Sequence, residues 1–173
     1  WREGTVRLFA QKLTRLNEFK ALLRRGGAHF DRSVYAQVLS VITAALDVAS
    51  LAYDQTISFS DITYNSYDRD SLIDIPKLLC DEKKNIFVSY YRSIRASFVK
   101  QLSEHNIVGI SITSIAQLVP ALTLCRAIRD FNSNIIIFLG GNYVTRLAVR
   151  HMKKASFLFD YIDFVSCYEG ECL

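Results

Sequence analysis

The second half of the chain alternates short apolar runs with longer amphipathic segments, and this alternation constrains the fold most. The runs "NIVGISI", "NIIIFLGG" and "YIDFVSCYEG" have the length of strands, and "AQLVPALTLCRAIRDF" and "YVTRLAVRHMKKASFLF" between them have helical periodicity. Parallel neighbouring strands need crossover helices, so this order predicts a parallel sheet. The strands are continuously apolar, and we therefore expect both sheet faces to be covered. The predicted class is α/β, a doubly wound parallel sheet of flavodoxin-like or Rossmann-like type.

The first half of the chain has helical periodicity instead. Apolar residues recur every three or four positions in two stretches before residue 55, and Asp31 or Ser33 can cap the second helix. Residues 1–55 are therefore predicted to form an N-terminal helical segment, an αα-hairpin that covers a sheet or docks a partner domain. Residues 56–173 are predicted to form the α/β domain.

The segment between these two patterns is less regular. "TISFSDITY" alternates apolar and polar residues and predicts one strand. Residues 65–85 are polar and contain Pro76, so we expect a loop with a short helix. A long helical pattern follows from Phe87 to Leu102.

Composition and charge narrow the class of protein. Half of the residues are hydrophobic, with only seven Gly and two Pro, which favours a packed core over disorder. The net charge is +4, and the basic residues near the N-terminus are more typical of a solvated helix face than of a nucleic-acid or membrane surface. No apolar run approaches the roughly 20 residues of a membrane span. We expect a cytoplasmic protein with neither nucleic-acid nor membrane partners.

The cysteine pattern does not indicate a metal site. Cysteines stand at positions 80, 125, 167 and 172, without the C-x-x-C spacing of zinc or iron–sulfur ligands. We therefore expect buried, reduced thiols and assign no metal ligand.

Small polar residues and glycines follow each predicted strand at its carboxyl end. In open α/β sheets the ligand lies beyond the carboxyl ends of the strands, where the strand order reverses. The candidate binding residues are Ser111, Thr113, Ser114, Gln117, Gly140, Gly141, Tyr143, Thr145, Glu169 and Gly170. Hydroxyls here can bond amide or phosphate groups, and glycines let backbone approach a bulky ligand. The alternative for Gly140-Gly141 is a tight strand-to-helix turn that needs no ligand.

Several familiar sites are excluded by their missing motifs. The chain has neither G-x-G-x-x-G after a strand nor G-x-x-x-x-G-K-[ST], and it lacks the G-x-S-x-G nucleophile elbow. The three histidines are scattered, and Asp160 and Asp163 flank a strand start, so we interpret all five as surface or capping residues. No catalytic residue is assigned.

The ordered set of strand ends resembles the cobalamin-binding domain of cobalamin-dependent radical S-adenosylmethionine enzymes, most closely the branch of peptide and natural-product maturation. The matching pieces are Gly109-Ile110-Ser111-Ile112-Thr113, Gln117 to Leu122, Gly140-Gly141 and Tyr168-Glu169-Gly170-Glu171. The resemblance covers about residues 86 to 171. It implies that cobalamin lies across the strand ends, with its nucleotide tail against Ser111, Thr113 and the glycines, and with Tyr143 and Gly170 beside it.

The resemblance also implies what lies outside this chain. In the family, S-adenosylmethionine and a [4Fe-4S] cluster belong to a C-terminal radical domain, and a methyltransferase or other peptide-modifying reaction acts on a peptide or small-molecule substrate. The chain lacks C-x-x-x-C-x-x-C, so we expect a piece cut before that domain and without radical chemistry of its own. It also lacks D-x-H-x-x-G, which implies cobalamin binding without an axial histidine from the protein.

Two alternatives stay open. The first is that the chain is a ligand-free α/β interaction domain that docks partner subunits or domains. The second is that it is a flavodoxin-like nucleotide or receiver domain. A receiver needs clustered aspartates and a lysine at its strand ends. The ends of the first two predicted strands here are neutral.

Overall fold

The computed structural model describes residues 10–11, 13–25, 31–59, 61–64, 71–151 and 153–168. The chain divides into two compact units, Trp1–Thr63 and Tyr64–Leu173. Each unit is described by itself below.

The helices and strands follow the order of the sequence. The first elements are α1 (Leu16–Arg24), α2 (Arg32–Ala52), β1 (Gln55–Ile57) and β2 (Ile62–Tyr64). The second unit continues with α3 (Ile75–Cys80), α4 (Ile86–Ser93), α5 (Arg95–Leu102), β3 (Ile107–Ser111), α6 (Leu118–Phe131), β4 (Ile136–Gly140), α7 (Asn142–His151) and β5 (Phe164–Val165). Short 3-10 turns span Ile115–Gln117 and Ser156–Asp160.

Helices α1 and α2 pack through a small apolar cluster. Phe19 of α1 and Val38 and Val41 of α2 are buried together. Asp31 caps α2, because its carboxylate accepts hydrogen bonds from the backbone N–H groups of Ser33 at 2.9 Å and Val34 at 3.2 Å. The predicted pair of helices and the Asp31 cap are confirmed.

Helix α2 is long and apolar. Its 18-residue window has a mean hydropathy of 1.6, and only 17% of that window is buried. By length and composition alone it could cross a membrane, so the expectation that no apolar segment approaches a membrane span is wrong for α2. The core helix of a soluble protein passes the same test. This single helix does not decide where the protein resides.

The second unit contains the parallel sheet that the sequence predicts. Its strand order is β3-β4-β5, with β3 and β4 paired from Ile107↔Ile136 to Ser111↔Gly140 and β5 paired at Phe138↔Phe164. Strands β1 and β2 form a separate small antiparallel sheet. The α/β class and the parallel sheet are therefore confirmed. The order of the described parallel strands contains no reversal, so the doubly wound arrangement stays a prediction.

The two faces of the parallel sheet differ in burial. Ile137 and Leu139 are completely buried, whereas Ile107, Ile136 and Phe164 on the other face are 59%, 41% and 61% exposed. The expectation of two covered faces is wrong for the described residues. The strand order gives the reason, because both crossovers move along the sheet in the same direction. Right-handed crossovers of this kind place their helices on the same face, so these helices do not cover the other face.

Helix α6 lies in the centre of the second unit. Its predicted inner face, Leu118, Leu122, Cys125 and Ile128, is completely buried, as expected. A buried hydrogen bond adds to the packing, because the Asn85 side chain donates to the Thr123 hydroxyl at 2.9 Å. Helix α6 therefore packs closely against the preceding helices α3 and α4.

Four predicted elements have different bounds in the structure. "TISFSDITY" forms two strands instead of one, because the backbone N–H of Ser58 donates to the carbonyl of Asp61 and closes a turn. The long helix is interrupted at Ile94, whose backbone (φ −96°, ψ 5°) separates α4 from α5. Helix α7 ends at His151, short of the predicted Phe159, and β5 is limited to two residues.

Candidate ligand-binding site

The ends of β3, β4 and β5 lie side by side, held by backbone hydrogen bonds. The N–H of Ile112 donates to Gly140 O at 2.8 Å, and the N–H of Tyr143 donates back to Ile112 O at 3.1 Å. We call Ser111, Thr113, Ser114, Gln117, Gly140, Gly141, Tyr143 and Thr145 the carboxyl edge. The structure brings these predicted residues together, whereas the predicted Glu169 and Gly170 lie outside the described residues.

The two glycines of the carboxyl edge have different environments. Gly141 has φ +98°, and a Cβ there would stand 2.5 Å from Ile112 O and 2.9 Å from the Ser111 Oγ. The turn into α7 therefore requires a glycine at this position with no ligand involved. A Cβ on Gly140 would meet the Cβ of Ser166 at 3.5 Å, an ordinary contact. Packing alone does not require glycine at position 140.

Gln117 shapes the loop after β3. Its Oε1 accepts hydrogen bonds from the Thr113 N–H at 2.7 Å, the Thr113 hydroxyl at 3.1 Å and the Ser114 N–H at 3.3 Å. All three residues are exposed. The loop is thus held rigid while its surface stays accessible, a favourable basis for binding because less conformational freedom is lost.

Thr145 fixes the chain that leaves β5. Its hydroxyl donates to Gly141 O at 3.2 Å and accepts from the Tyr168 N–H at 2.8 Å. Tyr168 adopts φ 62°, and its side chain is 74% exposed. The Tyr168 ring therefore does not fill the space above the strand ends.

Ser111 is the remaining hydroxyl of the edge. It is exposed, and within the part of the chain that the structure describes its side chain has no hydrogen-bond partner. An exposed, unpaired hydroxyl at a strand end is available to a ligand at little desolvation cost.

A basic groove adjoins the carboxyl edge. It has a volume of about 410 Å³ and lies between α7 and the segment Ser71–Ile73, with Ile115 and Tyr143 lining its end near the strands. Its basic lining consists of Arg146, Arg150, His151 and Lys154. Sequence reasoning missed this groove, although the four-residue spacing of positions 146, 150 and 154 is a signal of one helix face.

Asp163 and Cys125 are titratable groups of the second unit whose pKa values are shifted by their structural surroundings. The backbone N–H of Ile137 and the Arg129 guanidinium both donate to Asp163 and hold the pKa of its carboxyl below the usual value. Asp163 is exposed, as the interpretation as a surface or capping residue expects, and it connects β4 to α6. Burial raises the pKa of the Cys125 thiol to about 12, which makes it unreactive. The expectation of buried thiols holds for Cys125 and is wrong for Cys80, which is exposed.

Metal-binding groups do not accompany the carboxyl edge. Within the described ranges no three His, Cys, Asp or Glu side chains are grouped to hold a metal ion. The described histidines are exposed: His105 precedes β3 at the opposite edge, and His151 ends α7. The carboxyl edge and the basic groove beside it offer hydroxyls, amides and guanidinium groups rather than a described group of metal ligands.

Comparison with protein-family models, with curated proteins and with solved structures finds no match. Function therefore has to be inferred from the residues and from the geometry of the carboxyl edge.

Proposed function

We propose that this chain is a cobalamin-binding domain of a radical S-adenosylmethionine enzyme and that cobalamin binds across the carboxyl edge. The observation that carries the proposal is the open, polar carboxyl edge itself. Its exposed Ser111 and Thr113 belong to the G-x-S-x-T pattern of the resembling family, at the end of β3, and the exposed Ser114 and Gln117 follow them.

The residues present suit the chemistry of cobalamin. Its corrin ring is rimmed by amide groups, which the Ser111 hydroxyl and the backbone near Gly140 can meet by hydrogen bonds. The nucleotide tail carries one phosphate, for which Arg146 and Arg150 in the adjoining groove are suitable partners. When bound, cobalamin would supply a cobalt centre that carries a methyl group.

Several finer expectations belong to this proposal. The fold would be doubly wound and flavodoxin-like, with the described three-stranded sheet as one part of it. The partner would be a C-terminal radical domain that holds S-adenosylmethionine and a [4Fe-4S] cluster, acting as a methyltransferase or peptide-modifying enzyme in the cytoplasm. The carboxyl edge would then hold the cofactor while the radical domain supplies the reaction.

Hydroxocobalamin binding tests the proposal directly. The protein is mixed with a saturating excess of hydroxocobalamin, and the visible absorbance of the protein peak is measured after gel filtration. We expect a coloured peak for the natural sequence and a weaker one for Ser111→Leu, which places a bulky apolar side chain on the edge. Ser133→Leu is the matched control, because Ser133 is an exposed serine in the loop before β4, at the opposite edge of the sheet.

The contribution of the groove is tested by a second pair of variants. Replacing both Arg146 and Arg150 by Gln should weaken binding by about tenfold if both contact the phosphate, since each charge-assisted hydrogen bond at such an exposed site contributes roughly 0.7 kcal/mol. Lys153→Gln is a control, because Lys153 is exposed and does not line the groove. A colourless peak for the folded natural sequence would contradict the proposal as a whole.

A second candidate function is that of an α/β interaction domain without a ligand. The exposed apolar residues Ile107, Ile136 and Phe164 favour it, because parallel sheets are usually covered on both faces. A folded protein that ignores hydroxocobalamin would support this candidate.

A further inference from the structure

A second concave site lies between α4, α5 and α6, away from the carboxyl edge. The cavity has a volume of about 140 Å³. Cavities of about 150 Å³ hold a molecule of the size of benzene. The cavity is thus large enough for a single flat ring and too small for a nucleotide.

The inner lining of this cavity is apolar and aromatic. It consists of Val88, Tyr91, Phe98, Val99, Ala127 and Phe131, with the buried Thr123. The Thr123 hydroxyl is engaged, because it donates to Val119 O at 2.7 Å and accepts from Asn85. The Tyr91 phenol stays neutral, since burial raises its pKa to about 12. The interior is therefore suited to an uncharged ring.

The rim of the cavity is charged. It carries Glu82, Arg92, Arg95, Arg126 and Asp130, one net positive charge. Glu82 is paired with Arg92, and Arg126 donates to Leu79 O at 2.9 Å through one of its nitrogens. Arg95 has no hydrogen-bond or ion-pair partner within the described residues. Arg95 and the remaining donors of Arg126 are therefore available to an anion.

We propose that this cavity binds a small aromatic carboxylate, whose ring lies among Tyr91, Phe98 and Phe131 and whose carboxylate pairs with Arg95 and Arg126. A guanidinium group matches the geometry of a carboxylate, and the aromatic lining supplies the apolar contact. The proposal is independent of cobalamin binding, because no residue of the carboxyl edge lines this cavity.

Benzoate titration tests this second site. Isothermal titration calorimetry and ligand-observed NMR would be used with benzoate up to ~10 mM, since a ligand of this size is expected to bind with a Kd on the order of 1 mM. Benzyl alcohol has the ring without the charge, and acetate has the charge without the ring. We expect saturable binding of benzoate and at least fivefold weaker binding of both comparison compounds.

Two variants separate the ring pocket from the anion contact. Arg95→Gln should weaken benzoate binding at least fivefold, whereas Lys100→Gln, on the same helix but outside the lining, should leave it unchanged. Ala127→Leu should fill the cavity and abolish binding, with a Tm equal to or above that of the natural sequence as proof of folding. The proposal is overturned by absence of saturable benzoate binding to the natural sequence, or by equal affinity in Arg95→Gln and Lys100→Gln.

Discussion

The two edges of the parallel sheet are held together by different parts of the chain. At the amino edge, Arg129 donates to the carbonyl of Ile135 at 2.8 Å and to Asp163, and Asp163 accepts from the N–H of Ile137 at 2.7 Å. At the carboxyl edge the described connections involve no charged side chain: backbone groups around Ile112 and Gly140 join β3 to β4, and the neutral Thr145 hydroxyl holds the chain that follows β5.

This difference shows which side chains are free for function. Charged side chains at the amino edge act as structural ties between strands. Backbone hydrogen bonds at the carboxyl edge leave the Ser111 hydroxyl without a partner among the described residues and the Thr113–Gln117 loop exposed. The edge that is held by backbone groups and neutral side chains is the edge that can accept a ligand.

The largest expected effect tests the backbone connection at the carboxyl edge. Gly141→Ala should lower the free energy of unfolding by about 3 kcal/mol, because the residue has φ +98° and its new Cβ would collide with Ile112 O. Urea denaturation followed by circular dichroism measures the change. Gly140→Ala is the matched control and should shift the free energy by less than about 0.5 kcal/mol, since its Cβ meets only an ordinary contact. Equal effects of the two substitutions would refute the distinction between these glycines.

The amino edge should depend on its side chains. Asp163→Ala should lower the free energy of unfolding by about 2 kcal/mol, because the N–H of Ile137 and the Arg129 guanidinium lose their acceptor. Chemical denaturation measures the loss, with Asp160→Ala as a nearby exposed control. If Asp163→Ala leaves the free energy of unfolding unchanged, the hydrogen bonds of Asp163 do not stabilise the amino edge.

The contribution of Asp163 to the stability of the fold should depend on pH. The pKa of Asp163 is lowered in the folded state, chiefly by the Ile137 N–H, so its ionised form stabilises the fold above the unfolded pKa of about 4. That contribution is lost as pH falls through the folded pKa. The difference in urea midpoint between the natural sequence and Asp163→Asn should stay constant above about pH 5 and shrink below about pH 4. A difference that grows on acidification would contradict this assignment.

The smallest effect on stability is expected at the ligand side of the carboxyl edge. Ser111→Ala removes an exposed hydroxyl without a partner among the described residues, so the free energy of unfolding should change by less than about 0.5 kcal/mol. Thermal unfolding measures it. A loss above 1 kcal/mol would show that this hydroxyl is structural and would weaken its role in the proposed cobalamin site.

The sequence predicted the elements that depend on local signals. The inner face of α6 follows from apolar spacing around Leu122, and the cap of α2 follows from Asp31. It did not predict the break at Ile94 or the turn closed by Ser58 and Asp61, because single backbone angles there depend on packing that periodicity does not encode.

The candidate site was predictable in part. Residues such as Ser111 and Gly140 could be grouped because parallel strands end at one edge. The basic groove with Arg146 and Arg150 was missed, since only folding brings the segment Ser71–Ile73 against α7. The aromatic cavity has the same origin, because its lining joins α4 and α5 to α6, which follows them only after β3 in the sequence.

By itself the sequence determined the parallel strands, their central helix and the polar residues at the strand ends, because hydrophobic periodicity and crossover geometry are local properties of the chain. Only the tertiary structure decided that Gly141 is required by the turn while Gly140 is not, since that depends on how closely β3 approaches. It also decided that, among the described residues, those on one sheet face such as Phe164 are exposed, since burial depends on where the crossover helices pack.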